Sequence, residues 1–307
     1  MEYKGVCVSP VKLWSRSPSY RPEFWDIMQY LGVNTIRMVI GHEALGYTPT
    51  PDEFKKDILD KGEAYGIKGI FLPGGIVRNY YPLDIEGAKA ALYSYVVDGG
   101  LVGDPRIVAW DVWNEPDLDE PGAIDWLREI CGYLKYIDPT TPVTIGGWHK
   151  GSVYQSPRHL EAIIDFIDIV QCHFYQNPHI VDIYGMTKDY LNEIIKVSKG
   201  KLVIQGEWGL PVGAPVRYDT IFTEAEQKKY YEDSLRALFE VKEVIGSFPY
   251  IFTILPDYNS PIRDDLTIRP AGYTLKEWYT MPTPTPPNIL PALLIGGGLL
   301  YLLTRRG

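Results

Sequence analysis

Eight short apolar runs, each with helix-compatible sequence or room for it after, constrain this chain more than any other feature. The runs are "YKGVCV", "VNTIRMVI", "IKGIFL", "IVAWDVW", "PVTIGG", "DIVQCHF", "KLVIQGE" and "YIFTIL". Each is continuous in apolar residues and rich in Val and Ile, which suits strands buried on both faces. Between them, "PDEFKKDILDKGEAYG", "PGAIDWLREICGYLKYI" and "TEAEQKKYYEDSLRALFEV" carry apolar residues at helical spacing. The first two open with Pro at a plausible first helical position, after Thr50 and Glu120. The third starts at Thr223 with Glu226 three residues on, a capping-box pattern. Strict βα alternation implies a parallel sheet, and eight units before residue 280 fit a closed (β/α)8 TIM barrel. An open doubly wound sheet would want a Gly-rich turn after its first strand, and "VCVSPVKLW" has none.

The alternation ends near residue 280, so residues 1–280 are expected to form the barrel domain. "MPTPTPPN", residues 281–288, alternates Pro with Thr and reads as an extended, semi-rigid linker. "ILPALLIGGGLLYLL" then runs for 15 apolar residues before Thr304, Arg305 and Arg306. At about 1.5 Å per residue this run is short for a hydrocarbon core of about 30 Å, and snorkelling arginines would close part of the gap. Residues 289–307 are therefore expected to be a C-terminal membrane anchor, with a loose apolar tail or a partner helix as the alternative. Arginines after the run would lie in the cytoplasm and leave the barrel at the cell surface or outside the cell. Against that, "MEYKGVCVSP" contains no signal-peptide pattern.

Composition narrows the partners. A net charge of −9 and the lack of a basic patch argue against nucleic acid. The three cysteines, Cys7, Cys131 and Cys172, are too widely spaced for a metal site or a disulfide framework, and free buried thiols are expected. Five His residues offer no metal-ligand spacing, so neither metal nor other cofactor is expected. Nothing points to an oligomer, and a monomer is the expectation.

Two strand ends carry the chemistry. Glu115 closes the fourth run in "RIVAWDVWNEPD", where Pro116 stops the ladder; Glu207 closes the seventh in "LVIQGEWGLP". In a (β/α)8 barrel, catalytic groups sit at the C-terminal ends of strands. A lone glutamate there could be an ion-pair partner or a cap, but two at equivalent strand ends face one cleft. Paired carboxylates are what glycoside hydrolysis uses, one protonated to assist the leaving oxygen and one ionised to attack the anomeric carbon.

Here the sequence resembles clan A of the glycoside hydrolases over about residues 1–280, and the cellulase and mannanase family 5 in particular. "WNEP" is similar to the family's Asn-Glu-Pro signature, implying that Glu115 is the general acid/base and that Asn114 bonds the sugar 2-hydroxyl. "GEWG" resembles the segment bearing the nucleophile, Glu207. "NTIRMVI" looks like the Arg-bearing second strand, with Arg37 supporting the nucleophile. "QCHFY" resembles the His-x-Tyr segment, which implies His173 near substrate and Tyr175 near Glu207. An Arg inside a core strand needs a carboxylate partner in any case. The sequence departs from the family at strand three, "FLPGGI", which lacks a His, and at strand eight, where Phe252 stands for the usual Trp. Trp14, Trp148, Trp208, Tyr258 and Phe252 are the candidate sugar platforms, each with a core role as its alternative.

The reading is a retaining, endo-acting β-glycosidase that hydrolyses β-glucan- or mannan-type chains by double displacement. The alternative is a catalytically silent carbohydrate-binding protein tethered at the cell surface, which would have no use for an acid/base pair.

Overall fold

The computed structural model describes residues 1–8, 22–40, 48–150, 153–213, 220–252, 259–263 and 265–282. Eight parallel strands close into a barrel: β1 (Tyr3–Val8), β2 (Thr35–Val39), β3 (Lys68–Leu72), β4 (Ile107–Asn114), β5 (Val143–Gly146), β6 (Val170–His173), β7 (Val203–Trp208) and β8 (Val244–Pro249). Neighbours in sequence are neighbours in the barrel, and β1 closes it against β8 through Tyr3 and Gly246.

The helices follow local signals. Residues 51–64 form one continuous helical stretch entered through a reciprocal Thr50–Glu53 capping box. The Thr223–Glu226 box starts the helix Glu224–Glu240 as its sequence demands. The helix Ala123–Ile137 begins two residues later than the Pro121 start expected, because Gly122 at φ 84 redirects the chain first. Only Gly adopts that conformation without steric cost.

The eighth strand lies before "YIFTIL". The helix Glu224–Glu240 ends on an extended Val241, and the chain enters the sheet directly at Val244. Pro249 then closes the strand, having no N–H for a ladder. "VIGSFP" is the less apolar segment, but it fits the barrel interior. A Cβ on Gly5 would lie 2.1 Å from the Phe248 ring, so the glycine makes room for that ring. Of the predicted run, Phe252 bridges to Val8, and residues 253–255 lie outside the described residues.

Two cores result. A large one lies between barrel and helices, and a small one of Cys7, Ile70, Ala109, Ile169, Ile204, Phe248 and Ile251 fills the barrel itself. Cys7, Cys131 and Cys172 are free and buried, as expected. Residues 283–307, with most of the linker and all of the expected anchor, lie outside the described residues; among those described, no helix is long and apolar enough to cross a membrane.

Candidate active site

The C-terminal ends of β2, β4, β6 and β7 bring Arg37, Asn114, Glu115, His173, Tyr175 and Glu207 together. One oxygen of Glu115, one oxygen of Glu207 and a ring nitrogen of His173 all lie within 4.8 Å of one another. Arg37, buried in β2, holds two carboxylates and an amide at once. Its Nε donates to Asp111 Oδ2 at 2.9 Å, Nη1 to Glu207 Oε1 at 2.7 Å and Nη2 to Asn114 Oδ1 at 2.7 Å. The Tyr175 hydroxyl donates to the other Glu207 oxygen at 2.8 Å. Both oxygens of Glu207 thus accept charge-assisted hydrogen bonds. Burial works against the Arg37 charge, but Asp111 and then Glu207 outweigh it and raise the guanidinium above its ordinary range.

Glu115 is held differently. His173 Nδ1 sits 2.8 Å from Glu115 Oε1 and 3.6 Å from Glu207 Oε2. The Glu115 carboxyl is more open than Glu207, with 26% of its side chain exposed against 8%. Its backbone stands at φ 52, a left-handed conformation rare for a residue with a Cβ, and its N–H donates to Gly146 O at 2.7 Å. Strain of this kind persists only where the surroundings over-determine it. One glutamate is therefore locked and charge-compensated, while the other shares a proton-capable bond with an imidazole at the edge of solvent.

Glu115, His173 and Glu207 are also the described residues that could hold a metal ion. Arg37 and Tyr175 already occupy both Glu207 oxygens, so a cation would have to displace them beside a guanidinium. The donor set fits proton transfer and substrate better than a metal.

Arg37 and Tyr175 both reach Glu207, and Asn114 reaches Arg37. His173 is fully buried and reaches Glu115, so it supports the carboxyl group and presents no face to a substrate. The described sugar platforms do not hold. Trp208 is fully buried, packs on Tyr231 at 4.7 Å in the helical layer and donates its indole N–H to Ser247 Oγ. Trp148 is fully buried and donates to the Ser156 carbonyl. Phe252 is fully buried against the Phe24 ring at 4.9 Å. Trp14 and Tyr258 lie outside the described residues. Three polar residues went unassigned in sequence: Asp111, Gln171 and Gln155, the last accepting from the His173 backbone N–H at 2.6 Å. The need of Arg37 for a carboxylate could have pointed to Asp111, two residues from Ala109 and on the same face of β4.

No protein-family profile matches the chain. In sequence it is 23% identical to mannan endo-1,4-beta-mannosidase 7 of Oryza sativa subsp. japonica over 216 residues, 61% of this chain and 56% of that protein. It is 23% identical to the beta-glucuronidase of Rattus norvegicus over 248 residues, 78% of this chain and 36% of that protein. By sequence, the chain resembles glycoside hydrolases. It spans about half the length of the curated relatives it matches, or less. In fold it matches a GH2 beta-galacturonidase from Eisenbergiella tayi with a TM-score of 0.68 and 16% identity, over 91% of this chain and 51% of that one. A beta-D-glucuronidase of Dictyoglomus thermophilum gives 0.68 and 18%, over 92% and 51%. The resemblance to glycoside hydrolases holds, but these matches do not single out family 5.

Proposed function

We propose that the chain is a retaining β-glycosidase, with Glu207 as nucleophile and Glu115 as general acid/base. The observation that carries this is that one oxygen of Glu115 lies within 4.8 Å of one oxygen of Glu207. Retaining enzymes hold their carboxyl groups about 5–5.5 Å apart, whereas inverting enzymes leave about 6.5–9.5 Å for a water. In the first step Glu207 Oε2 or Oε1 attacks the anomeric carbon while Glu115 gives its proton to the departing oxygen. The glycosyl–Glu207 ester then breaks when Glu115, now the base, takes a proton from the attacking water. Arg37 and Tyr175 orient the nucleophile, and His173 holds Glu115. Asn114 accepts from Arg37 through Oδ1, which leaves its Nδ2 to donate to a sugar hydroxyl; the residue is exposed.

The substrate is an oligo- or polysaccharide with β-linked mannose or glucose, cut internally, a reading favoured by the mannosidase relatives. Cleavage of β-glucuronides is the second reading, favoured by the match to the rat enzyme over 78% of this chain. The enzyme acts as a monomer, and residues 289–307 tether it to a membrane, with the barrel at the cell surface. If so, the full chain partitions into detergent and a chain ending at Pro287 stays soluble with full activity; an unfolded truncation product would refute the tether.

The chemistry is tested by incubation with mannan, β-glucan, xylan and aryl β-glucuronide, with the anomer released followed by NMR. The β-anomer is expected first, and an α-anomer would overturn the retaining mechanism. Glu207→Ala with azide and an activated aryl β-glycoside should give the α-glycosyl azide, and Glu115→Ala the β-glycosyl azide. Products of the opposite configuration would reverse the two roles.

A further inference from the structure

Beneath the two glutamates lies a buried polar layer that the reaction scheme does not use. Asp111 Oδ2 accepts from Arg37 Nε at 2.9 Å and from Gln171 Nε2 at 2.6 Å, while Asp111 Oδ1 has no hydrogen-bond partner. Two glycines make room for this layer. A Cβ on Gly146 would lie 2.3 Å from Arg37 Nη2 and 2.7 Å from Asp111 Oδ2, and one on Gly206 would lie 2.4 Å from Gln171 Cγ. The layer therefore excludes even a methyl group at two strand positions. Arg37 carries one positive charge and touches two carboxylates, so the charge available to Glu207 depends on what Asp111 takes.

We propose that Asp111 is a positioning residue that divides the charge of Arg37, holding the guanidinium in place while leaving Glu207 incompletely neutralised and therefore nucleophilic. The inference rests on the glycosidase reading of Glu207. Burial lifts Asp111 above the ordinary carboxylate range even though Arg37 and Gln171 oppose it. Among the described residues, the other titratable groups facing the layer are Cys7 on β1, Glu115 on β4, His173 on β6, Tyr175 after it and Glu207 on β7. Cys7, 3.9 Å from Arg37 Nη1, is kept neutral by burial. The inward residues Ile70, Gly146 and Phe248 of β3, β5 and β8 do not titrate.

Asp111→Asn removes the charge with little change of shape. Its carbonyl oxygen can take the position of Oδ2 and keep both accepted bonds, and its amide can take the position of the unpartnered Oδ1. With the Arg37 charge then wholly on Glu207, glycosylation by an activated aryl glycoside should slow about tenfold in kcat with KM nearly unchanged. The acidic limb of the kcat/KM profile should move to lower pH by roughly half a unit or more. Asp111→Ala, which also frees the guanidinium, should cost roughly a hundredfold, the usual effect of misplacing reacting groups by about 1 Å. Gln171→Met removes a donor to Asp111, which then draws more on Arg37 and leaves less of its charge for Glu207. The limb should therefore shift by less and toward higher pH, which keeps the test available if the Asp111 variants fail to fold. An active wild type whose Asp111→Asn and Gln171→Met variants lose only thermal stability, with kcat and the acidic limb unmoved, overturns the proposal. An inactive wild type on every glycoside would instead refute the glycosidase reading itself.

Discussion

The left-handed backbone of Glu115 makes a prediction about stability that can be separated from chemistry. At φ 52 a residue with a Cβ suffers a steric clash that glycine escapes, and the clash costs about 1–2 kcal/mol. Glycine loses about 0.5–1 kcal/mol through its larger unfolded-state entropy. Glu115→Gly should therefore be more stable than Glu115→Ala by about 1 kcal/mol, roughly 2 °C in Tm for a domain of this size. Both variants lose the carboxyl group and its bond to His173, so their difference isolates the backbone. Urea unfolding of the two at neutral pH measures it. Glu129, exposed in the regular helix Ala123–Ile137, supplies the control. There Gly should be worse than Ala by about 1 kcal/mol, reversing the sign. A Glu115→Gly protein less stable than Glu115→Ala would mean that the strain is absent and that another interaction fixes the carboxyl group.

Two further outcomes follow from particular contacts. Trp208→Ala should cost about 3–5 kcal/mol in chemical denaturation because the indole is fully buried against Tyr230 and Tyr231; a raised KM with unchanged stability would restore it as a sugar platform. Glu226, held by His179 and by Thr223, has its carboxyl lowered to about 2 from an ordinary value of 4.5. A depressed carboxylate stabilises above its unfolded value and loses that contribution as pH falls through the folded one. Glu226→Gln should thus lower the unfolding free energy from urea titration slightly at pH 6, by under about 1 kcal/mol for so exposed a group, and the gap should narrow below about pH 4.5. A gap that widens on acidification would contradict the assignment.

The barrel was legible because its strands carry a one-dimensional signal: continuous Val- and Ile-rich runs between helical patterns, seven of them found in place. The eighth was displaced because "YIFTIL" is the more apolar segment, while "VIGSFP" is chosen by what a barrel interior can hold, a small Gly246 and an inward Phe248 facing Gly5. Only the three-dimensional packing contains that information.

The same division explains which site residues could be read. A carboxylate or guanidinium in an apolar strand has few physical justifications, so Arg37, Glu115 and Glu207 announced each other. An aromatic at a strand end can face either the ligand or the helices, and the choice turns on the phase of alternation. On β7, strict alternation from the inward Ile204 would send Gly206 and Trp208 inward and Glu207 outward. The ladder to β6 instead pairs Cys172 with Gln205 and His173 with Glu207, so one residue is skipped. The ladder to β8 shifts at the same place. That extra residue carries Glu207 into the site and turns Trp208 toward Tyr231. On β4 a shift between Asp111 and Asn114 does the same, bringing Asn114 to Arg37 and sending Trp113 against Tyr81 and Trp126. The two irregularities thus aim the polar residues inward and turn the tryptophans outward. They leave no mark in composition, which is why the acid pair could be named from sequence while Trp208 beside it was offered as a sugar platform.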